Sequence, residues 1–401
     1  MKKKLLALAC ALALCASLAG CTLATPAAVG TLGEVEIPAG IYLLAQFQAY
    51  QTARNAANSD QTDMTVAQYL KQTIPLDTDG QPDAAANVAT ADAASSQAED
   101  GETAPDDTVW VTVSDYVAGE TERLLRQYAA VETRFAQLGG ELTDEQTAQA
   151  DAYAQQLWDN YGDTYAANGI GLESLKRYEY NYYKLDALLE LVYGPDGEQP
   201  VPDQELTAYL QQQMYYGSYV VVPLYNTSTY AFADEEQTAA MLAECQAAVE
   251  QYNALQAQAG EDADGTAAAN FYTALAQHLP DVYAVLDAEY TAADLSGDFA
   301  VDLFGYDELA GSFSAEALQA VTGLEFGQAA AVQYSSFAAI VFLRQDPLQT
   351  YELDDLRATV LGEMKYDELT QSLEEFGETL ANGLNQSAMG KFPAKKIAAA
   401  G

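Results

Sequence analysis

Ser218-Tyr219-Val220-Val221-Val222-Pro223-Leu224-Tyr225 decides the fold class, because it is the first run of the chain that reads as a strand. Its β-branched and aromatic residues suit a pleated, half-buried surface. Two further runs of that kind follow, Ala300-Val-Asp-Leu-Phe304 and the buried-looking Ala338-Ala-Ile-Val-Phe-Leu343. Helical spacing fills the intervals, over residues 235–258, 266–277 and 315–322. Strand, helices and strand between residues 216 and 346 predict a small α/β or α+β domain.

Upstream, the pattern is helical. Val113 and Tyr116 lead into Leu124, Leu125, Tyr128, Val131, Phe135 and Leu138 at three- and four-residue spacings, until Gly139-Gly140 stops the run. Thr143-Asp144-Glu145-Gln146 then offers a cap and an acidic first turn to a helix reaching Trp158 and Tyr161. A third helix over 172–193 carries Leu175, Tyr178, Tyr182, Leu185, Leu188, Leu189 and Val192, and ends at Gly194-Pro195-Asp196-Gly197. A short one from Asp203 to Met214 completes the block. Nearer the N-terminus, Pro38 opens a helix through Ile41, Leu44 and Phe47 to residue 57, and a short helix covers 65–73. Downstream of the strands, 353–384 reads as one long amphipathic helix.

Residues 77–107 contain one valine and no other large apolar side chain. Such a stretch cannot bury enough surface to offset its ordering entropy, so it reads as disordered. Asp77-Thr78-Asp79-Gly80 bears a passing likeness to a calcium loop, but Val88 stands where the bidentate glutamate should be.

The N-terminus carries an address. Lys2-Lys3-Lys4 is followed by the apolar run 5–17 and by Leu18-Ala19-Gly20-Cys21. That run is too short to span a bilayer. The pattern resembles bacterial lipoprotein signal peptides, which implies cleavage after Gly20, lipidation of Cys21 and an extracytoplasmic protein anchored to a membrane through its lipid. Cys10 and Cys15 would leave with the signal, and Cys245 would remain in a helical run, where a buried small hydrophobe is the expected role. The formal net charge is -42, and it becomes more negative still once the three lysines are removed. A field of that sign repels phosphate backbones, so no nucleic-acid partner is expected. The chain has one histidine, His278, which sits in Leu275-Ala-Gln-His-Leu-Pro280 and reads as a residue at a helix end facing the helix dipole. His/Cys zinc sites and Ser-His-Asp or Cys-His constellations are thereby removed, and neither a P-loop nor a dinucleotide fingerprint is present. No metal site and no cofactor are expected.

Helices on both sides of an inserted strand-containing domain resemble the SurA and PrsA families of extracytoplasmic foldases. The likeness is carried by Gly33-Glu-Val-Glu-Ile-Pro-Ala-Gly-Ile-Tyr42 at the entry to the first helix, and by Val201-Pro-Asp-Gln-Glu-Leu-Thr-Ala-Tyr209 before the first strand. Tyr219-Val-Val-Val222 stands for that strand. Phe304-Gly-Tyr-Asp-Glu-Leu-Ala-Gly-Ser-Phe-Ser-Ala-Glu-Ala-Leu318, Gly327 and Ala339-Ile-Val-Phe342 stand for the turn, helix, turn and last strand of a parvulin-type prolyl isomerase domain. The resemblance implies an α+β protein, a mainly helical chaperone module built from N- and C-terminal segments with the parvulin-like domain inserted. Its segments would be a signal peptide at 1–20, a tether at 21–36, N-terminal helices at 37–76, the acidic disordered insert at 77–107, a helical chaperone region at 108–215, the parvulin-like domain at 216–346 and a C-terminal helix at 347–401 packing on the helical module.

The resemblance also implies a departure. Parvulins place histidines in the first and last strands, where this chain has Tyr219 and Ala339, and only Gly305 remains of the paired glycines. The domain reads as degenerate, with weak or no isomerase activity. Tyrosine is abundant, with 27 in the chain. Tyr178, Tyr182, Tyr183, Tyr215 and Tyr216 are candidate contacts for unfolded polypeptide, because tyrosine offers amphipathic area with few torsions to freeze. The expected function is a membrane-anchored chaperone or foldase for unfolded or nascent secreted polypeptides. The alternatives are a solute- or ligand-binding surface lipoprotein without chaperone activity, and a structural surface lipoprotein.

Overall fold

The computed structural model describes residues 27–87, 109–259 and 263–398. The signal peptide, Cys21 and positions 88–107 of the acidic insert lie outside them. Among the described residues the chain is α+β, mostly helical with three small sheets. It divides into two compact units, one of the chain up to Val192 together with Tyr366 onward, the other Tyr193–Lys365.

The first unit begins with a hairpin where a tether is expected. Strands β1 (Ala28–Leu32) and β2 (Val35–Pro38) pair antiparallel, because Val29, Leu32 and Ile37 are wholly buried and need a partner surface. Helix α1 (Ala39–Asn55) follows. Its alanines at 45, 49 and 53 are buried, and small side chains there let neighbouring helices approach closely. The short helices α2 (Ser59–Thr62) and α3 (Val66–Tyr69) lead to strand β3 (Thr73–Leu76). Tyr69 closes this corner, with its hydroxyl donating to the Ala53 carbonyl at 2.5 Å and its ring edge-on to Tyr50 at 6.1 Å.

Residues 77–87 correct the expectation of a disordered insert, since hydrogen bonds rather than apolar burial hold them. Asp77 Oδ1 accepts from the amides of Asp79 and Gln81, so the Asp77–Gly80 stretch is a hydrogen-bonded turn. Buried Asn87 donates to the Ala56 carbonyl and to Gln61 Oε1, both at 2.8 Å.

Strand β4 (Val109–Thr112) pairs with β3, so residues 73–76 are strand and not the end of a helix. Thr112 then caps α4 (Val113–Gln137) by accepting from the Asp115 amide at 3.0 Å, an interaction typically worth about 1 kcal/mol. Helices α5 (Asp144–Ala167) and α6 (Leu172–Tyr193) complete this part. Thr143 and Gln146 form a capping box at the start of α5.

In the second unit, α7 (Asp203–Gln213) runs directly into β5 (Met214–Pro223), whose first residues carry the strand four positions upstream of Ser218. Two long helices follow, α8 (Glu235–Ala259) and α9 (Ala263–Ala284), then α10 (Ala292–Asp298), β6 (Ala300–Gly305), α11 (Tyr306–Ser312), α12 (Ala315–Thr322), β7 (Ala329–Ser335) and β8 (Ala338–Arg344). The sheet order is β6-β5-β8-β7, antiparallel throughout. Alternation along β5 and β8 sends Val220, Val222, Ala339, Val341 and Leu343 to one face, against Met241, Cys245, Tyr252 and Phe271 of α8 and α9. The other face carries Tyr215, Tyr219, Ile340 and Phe342, packed with Phe304, Leu309, Phe313 and Val321. At Gly217 the Leu343 carbonyl and the Phe342 ring come so close that a Cβ has no room.

His278 is not at a helix end. Helix α9 continues through Pro280 to Ala284, because Leu279, Val282 and Tyr283 prolong its apolar face into the core. His278 Nδ1 lies 3.5 Å from Glu244 Oε2 on α8.

Helix α13 (Leu353–Thr379) is divided between the units at Tyr366. It ends five residues short of the sequence expectation because Asn382–Leu384 forms β9, which pairs with β1 through Gly30↔Leu384, Thr31↔Gly383 and Leu32↔Asn382. The first unit thus takes its small sheet from both ends of the described chain, in the order β2-β1-β9. Arg126 Nη1 of α4 donates to the Gly377 carbonyl at 3.1 Å, satisfying one of the carbonyls that a helix C-terminus leaves free. No helix among the described residues is long and apolar enough to cross a membrane.

Candidate functional site

Helix α6 is held to both of its neighbours by polar bridges, and the space they leave is lined by tyrosine. On one flank Asn181 donates to the Tyr128 carbonyl and to Glu132, and Lys184 Nζ meets Glu132 Oε2 at 2.6 Å, joining α6 to α4. On the other, the Tyr180 hydroxyl donates to Asp151 at 2.6 Å and Lys176 lies 3.1 Å from the same carboxylate, joining α6 to α5. Residues three and four apart share a helix face, so Tyr178, Glu179, Tyr182 and Tyr183 turn toward one opening. They line a cavity of about 490 Å³ with Gln48 of α1 and Tyr153 and Leu157 of α5. Its volume falls among those of ligand pockets, roughly 300–1,000 Å³.

A second cavity of about 200 Å³ adjoins it, sharing Gln48, Tyr178 and Tyr182 and reaching Ile41, Leu125, Val131 and Tyr366. Tyr153 and Tyr182 are each half exposed. Tyr182 and Tyr183 pack edge to face, 6.2 Å between centroids. Aromatic and aliphatic side chains stand beside phenol hydroxyls, the Gln48 amide and the Glu179 carboxyl, and among the described lining residues there is no Ser, Cys or His.

One lining residue escaped the sequence reading. Glu179 is 5% exposed, and burial pushes its carboxyl up to about 7. Asp186, two turns onward, is raised by burial as well. The only signal in the sequence was position. Glu179 follows Tyr178 and lies four residues after buried Leu175, on the helix face that carries the apolar residues.

Tyr215 and Tyr216 do not join this surface, which corrects the expectation that they offer peptide contacts. Both are buried, because β5 is covered on both faces. The Arg344 guanidinium lies over the Tyr215 ring at 4.9 Å and over Phe326 at 5.1 Å, and donates to the carbonyls of Gln211 and Leu324. Tyr216 packs edge-on against Tyr351 at 5.8 Å.

Tyr219 and Ala339 are not brought together either. Tyr219 pairs with Phe342, and Ala339 pairs with Val222. The period of two along a strand therefore puts Tyr219 among Phe304 and Phe342 and sends Ala339 to the opposite face, wholly buried against α8 and α9. Burial and the nearby carboxylates of Asp302 and Glu308 raise the Tyr219 phenol, so it is neutral at physiological pH.

The second unit also contains an open cavity of about 760 Å³ that the sequence did not reveal. Tyr283 and Tyr290 are stacked at 4.2 Å on its wall, Tyr290 donates to Asp298 at 2.9 Å, and Asp287, Glu289 and Asp294 face the same space. Among the described residues no group of three or more His, Cys, Asp or Glu side chains is arranged to hold a metal ion.

A comparison with protein-family models finds no match, and a comparison with curated proteins finds none. Among solved structures, the chain is similar to the foldase protein PrsA from Streptococcus pneumoniae, with a TM-score of 0.31 and 10% identity over 73% of this chain and 98% of that one. It is also similar to the peptidylprolyl isomerase PrsA from Bacillus anthracis, with a TM-score of 0.20 and 13% identity over 67% of this chain and 94% of the other. Both similarities are of low score and low identity.

Proposed function

We propose that this chain is a lipid-anchored extracytoplasmic chaperone that holds unfolded exported polypeptides in the tyrosine-lined cleft of its helical unit, with weak or no prolyl isomerase activity. The observation that carries the reading is the convergence of Tyr153, Tyr178, Tyr182 and Tyr183 on one open cavity. Such a lining gives apolar contact with adaptable hydrogen bonding and needs no nucleotide. The Leu18-Ala19-Gly20-Cys21 sequence supports attachment through a lipid at Cys21. The weak or absent isomerase activity is supported by Tyr219 and Ala339 occupying opposite faces of the sheet without a histidine.

The purified chain is expected to suppress aggregation of an unfolded client at stoichiometric excess, and a Tyr153→Ser, Tyr182→Ser double variant to lose most of that effect. No suppression by the parent would overturn the proposal. The cavity beside Tyr283 and Tyr290 favours one second reading, capture of a small ligand by the strand-containing unit. A thermal shift on a Tyr290→Ala, Asp294→Ala background that differs from the parent's only in the presence of a small molecule would select it.

A further inference from the structure

We propose that the cleft of the helical unit receives a basic side chain, a lysine or arginine of an extended polypeptide, with its charged head against the Glu179 carboxyl. This rests on reading the cleft as a polypeptide site, and names what it selects. Glu179 lines the 490 Å³ cavity and is 95% buried. Among the described residues it accepts no hydrogen bond and meets no cation, while the nearby ammonium groups are engaged elsewhere, Lys176 by Asp151 and Lys184 by Glu132. A carboxylate withdrawn from water costs several kcal/mol unless something pairs with it. Here nothing within the unit does, and the cavity in front of it is open.

The walls specify what would complete the site. Four tyrosines line the same cavity as the carboxyl, and aromatic faces attract ammonium and guanidinium groups while their apolar area accepts a methylene stem. A bare metal ion would find one carboxylate and no further ligand cluster among the described residues. The adjoining 200 Å³ cavity, which shares Gln48, Tyr178 and Tyr182 with the first, leaves room for the residues flanking the basic one. Burial that holds the free carboxyl near 7 is the same withdrawal from water, seen from the proton's side.

The experiment uses the purified chain and two fluorescein-labelled extended peptides, identical except for lysine or norleucine at the centre, followed by anisotropy at high salt so that diffuse attraction to the acidic surface is screened. The lysine peptide is expected to bind about tenfold more tightly, the scale of one charge-assisted contact. Glu179→Gln is expected to bring the two peptides within about twofold of each other, and Glu173→Gln, an exposed acid on the same helix, to leave the preference intact. Equal binding of both peptides by the parent overturns this inference and leaves the cleft a polypeptide site. A lysine preference that survives Glu179→Gln overturns it too, by assigning the selectivity to surface charge. Binding of neither peptide removes the polypeptide site and this inference with it.

Discussion

Tyr219 stands directly opposite Phe342 in the antiparallel pair of β5 and β8, with ring centroids 6.4 Å apart and planes 28° from parallel. Ala339 looks the other way, into the core beneath α8 and α9. Histidines installed at 219 and 339 would therefore lie on opposite faces of the sheet. The Tyr219→His, Ala339→His chain is expected to give no turnover of a prolyl tetrapeptide. Ala339→His alone is expected to lower stability to urea by about 1–3 kcal/mol, because a ring has to be forced into a filled core. Turnover by the double variant would show that the two positions approach each other after all.

The same sheet shows where sequence patterns suffice and where they fail. Helix α12 begins and ends at the residues expected from its spacing, because Ser314 caps it and Ala317 and Val321, four residues apart, bury one face. Such signals are local. Strand β1 reads as tether because it and its hairpin partner β2 are only five and four residues long, and its other neighbour β9 is met only at the far end of the described chain, which no periodicity within Ala28–Leu32 announces. Strand β3 failed likewise, its partner β4 lying beyond the acidic insert. Tyr215 and Tyr216 were misjudged because adjacent residues of a strand point to opposite faces, and both faces of β5 are covered here. In the cleft, Tyr178, Tyr182 and Tyr183 were legible from helical spacing. Glu179 was not, since an acid beside them looks like part of a solvated face until the packing of α1 and α5 closes over it.

Gly30 is where the distant pairing is most sensitive. Its φ is +131°, and a Cβ there would come within 2.5 Å of the Gly383 carbonyl oxygen and 2.7 Å of Leu384 Cα. Gly30→Ala meets both a disfavoured backbone conformation and a rigid neighbour. It is expected to destabilise the first unit by more than about 1 kcal/mol and to speed amide exchange in residues 382–385. Unchanged exchange there would mean that β9 does not depend on β1.

Cys245 is buried in the core of α8, and burial, with a contribution from Glu244, pushes its thiol up to about 12. The thiolate is the reactive form. In the native chain Cys245 is expected to resist a thiol-specific reagent at pH 8 and to react stoichiometrically in urea. Native-state labelling then measures the opening of the α8–α9 layer. Rapid labelling without denaturant would contradict the close packing of this face.

Glu179 gives the last prediction its sign. Unfolded, its carboxyl titrates near an ordinary value of about 4.3. Folded, burial holds it near 7. Between these values the native state keeps a proton that the unfolded state has released. Its contribution is therefore fully present below about pH 4, declines as pH rises, and has been lost once the carboxyl ionises above about 7. Tyr153, Tyr178, Tyr182 and Tyr183 share the cavity, and the Tyr182 phenol is raised by the nearby Asp186 carboxylate and by burial, so it stays neutral across this range. Glutamine keeps the shape and removes the titration. Glu179→Gln is expected to flatten the fall in stability between pH 5 and pH 8 and to exceed the parent at pH 8 by on the order of 2–3 kcal/mol. Urea titrations of both chains at the two pH values make the comparison, and identical pH slopes would mean that water already reaches the carboxyl in the native state. A bound cation should shrink the difference, so repeating the pH 8 titration with the lysine peptide is expected to stabilise the parent more than the glutamine variant.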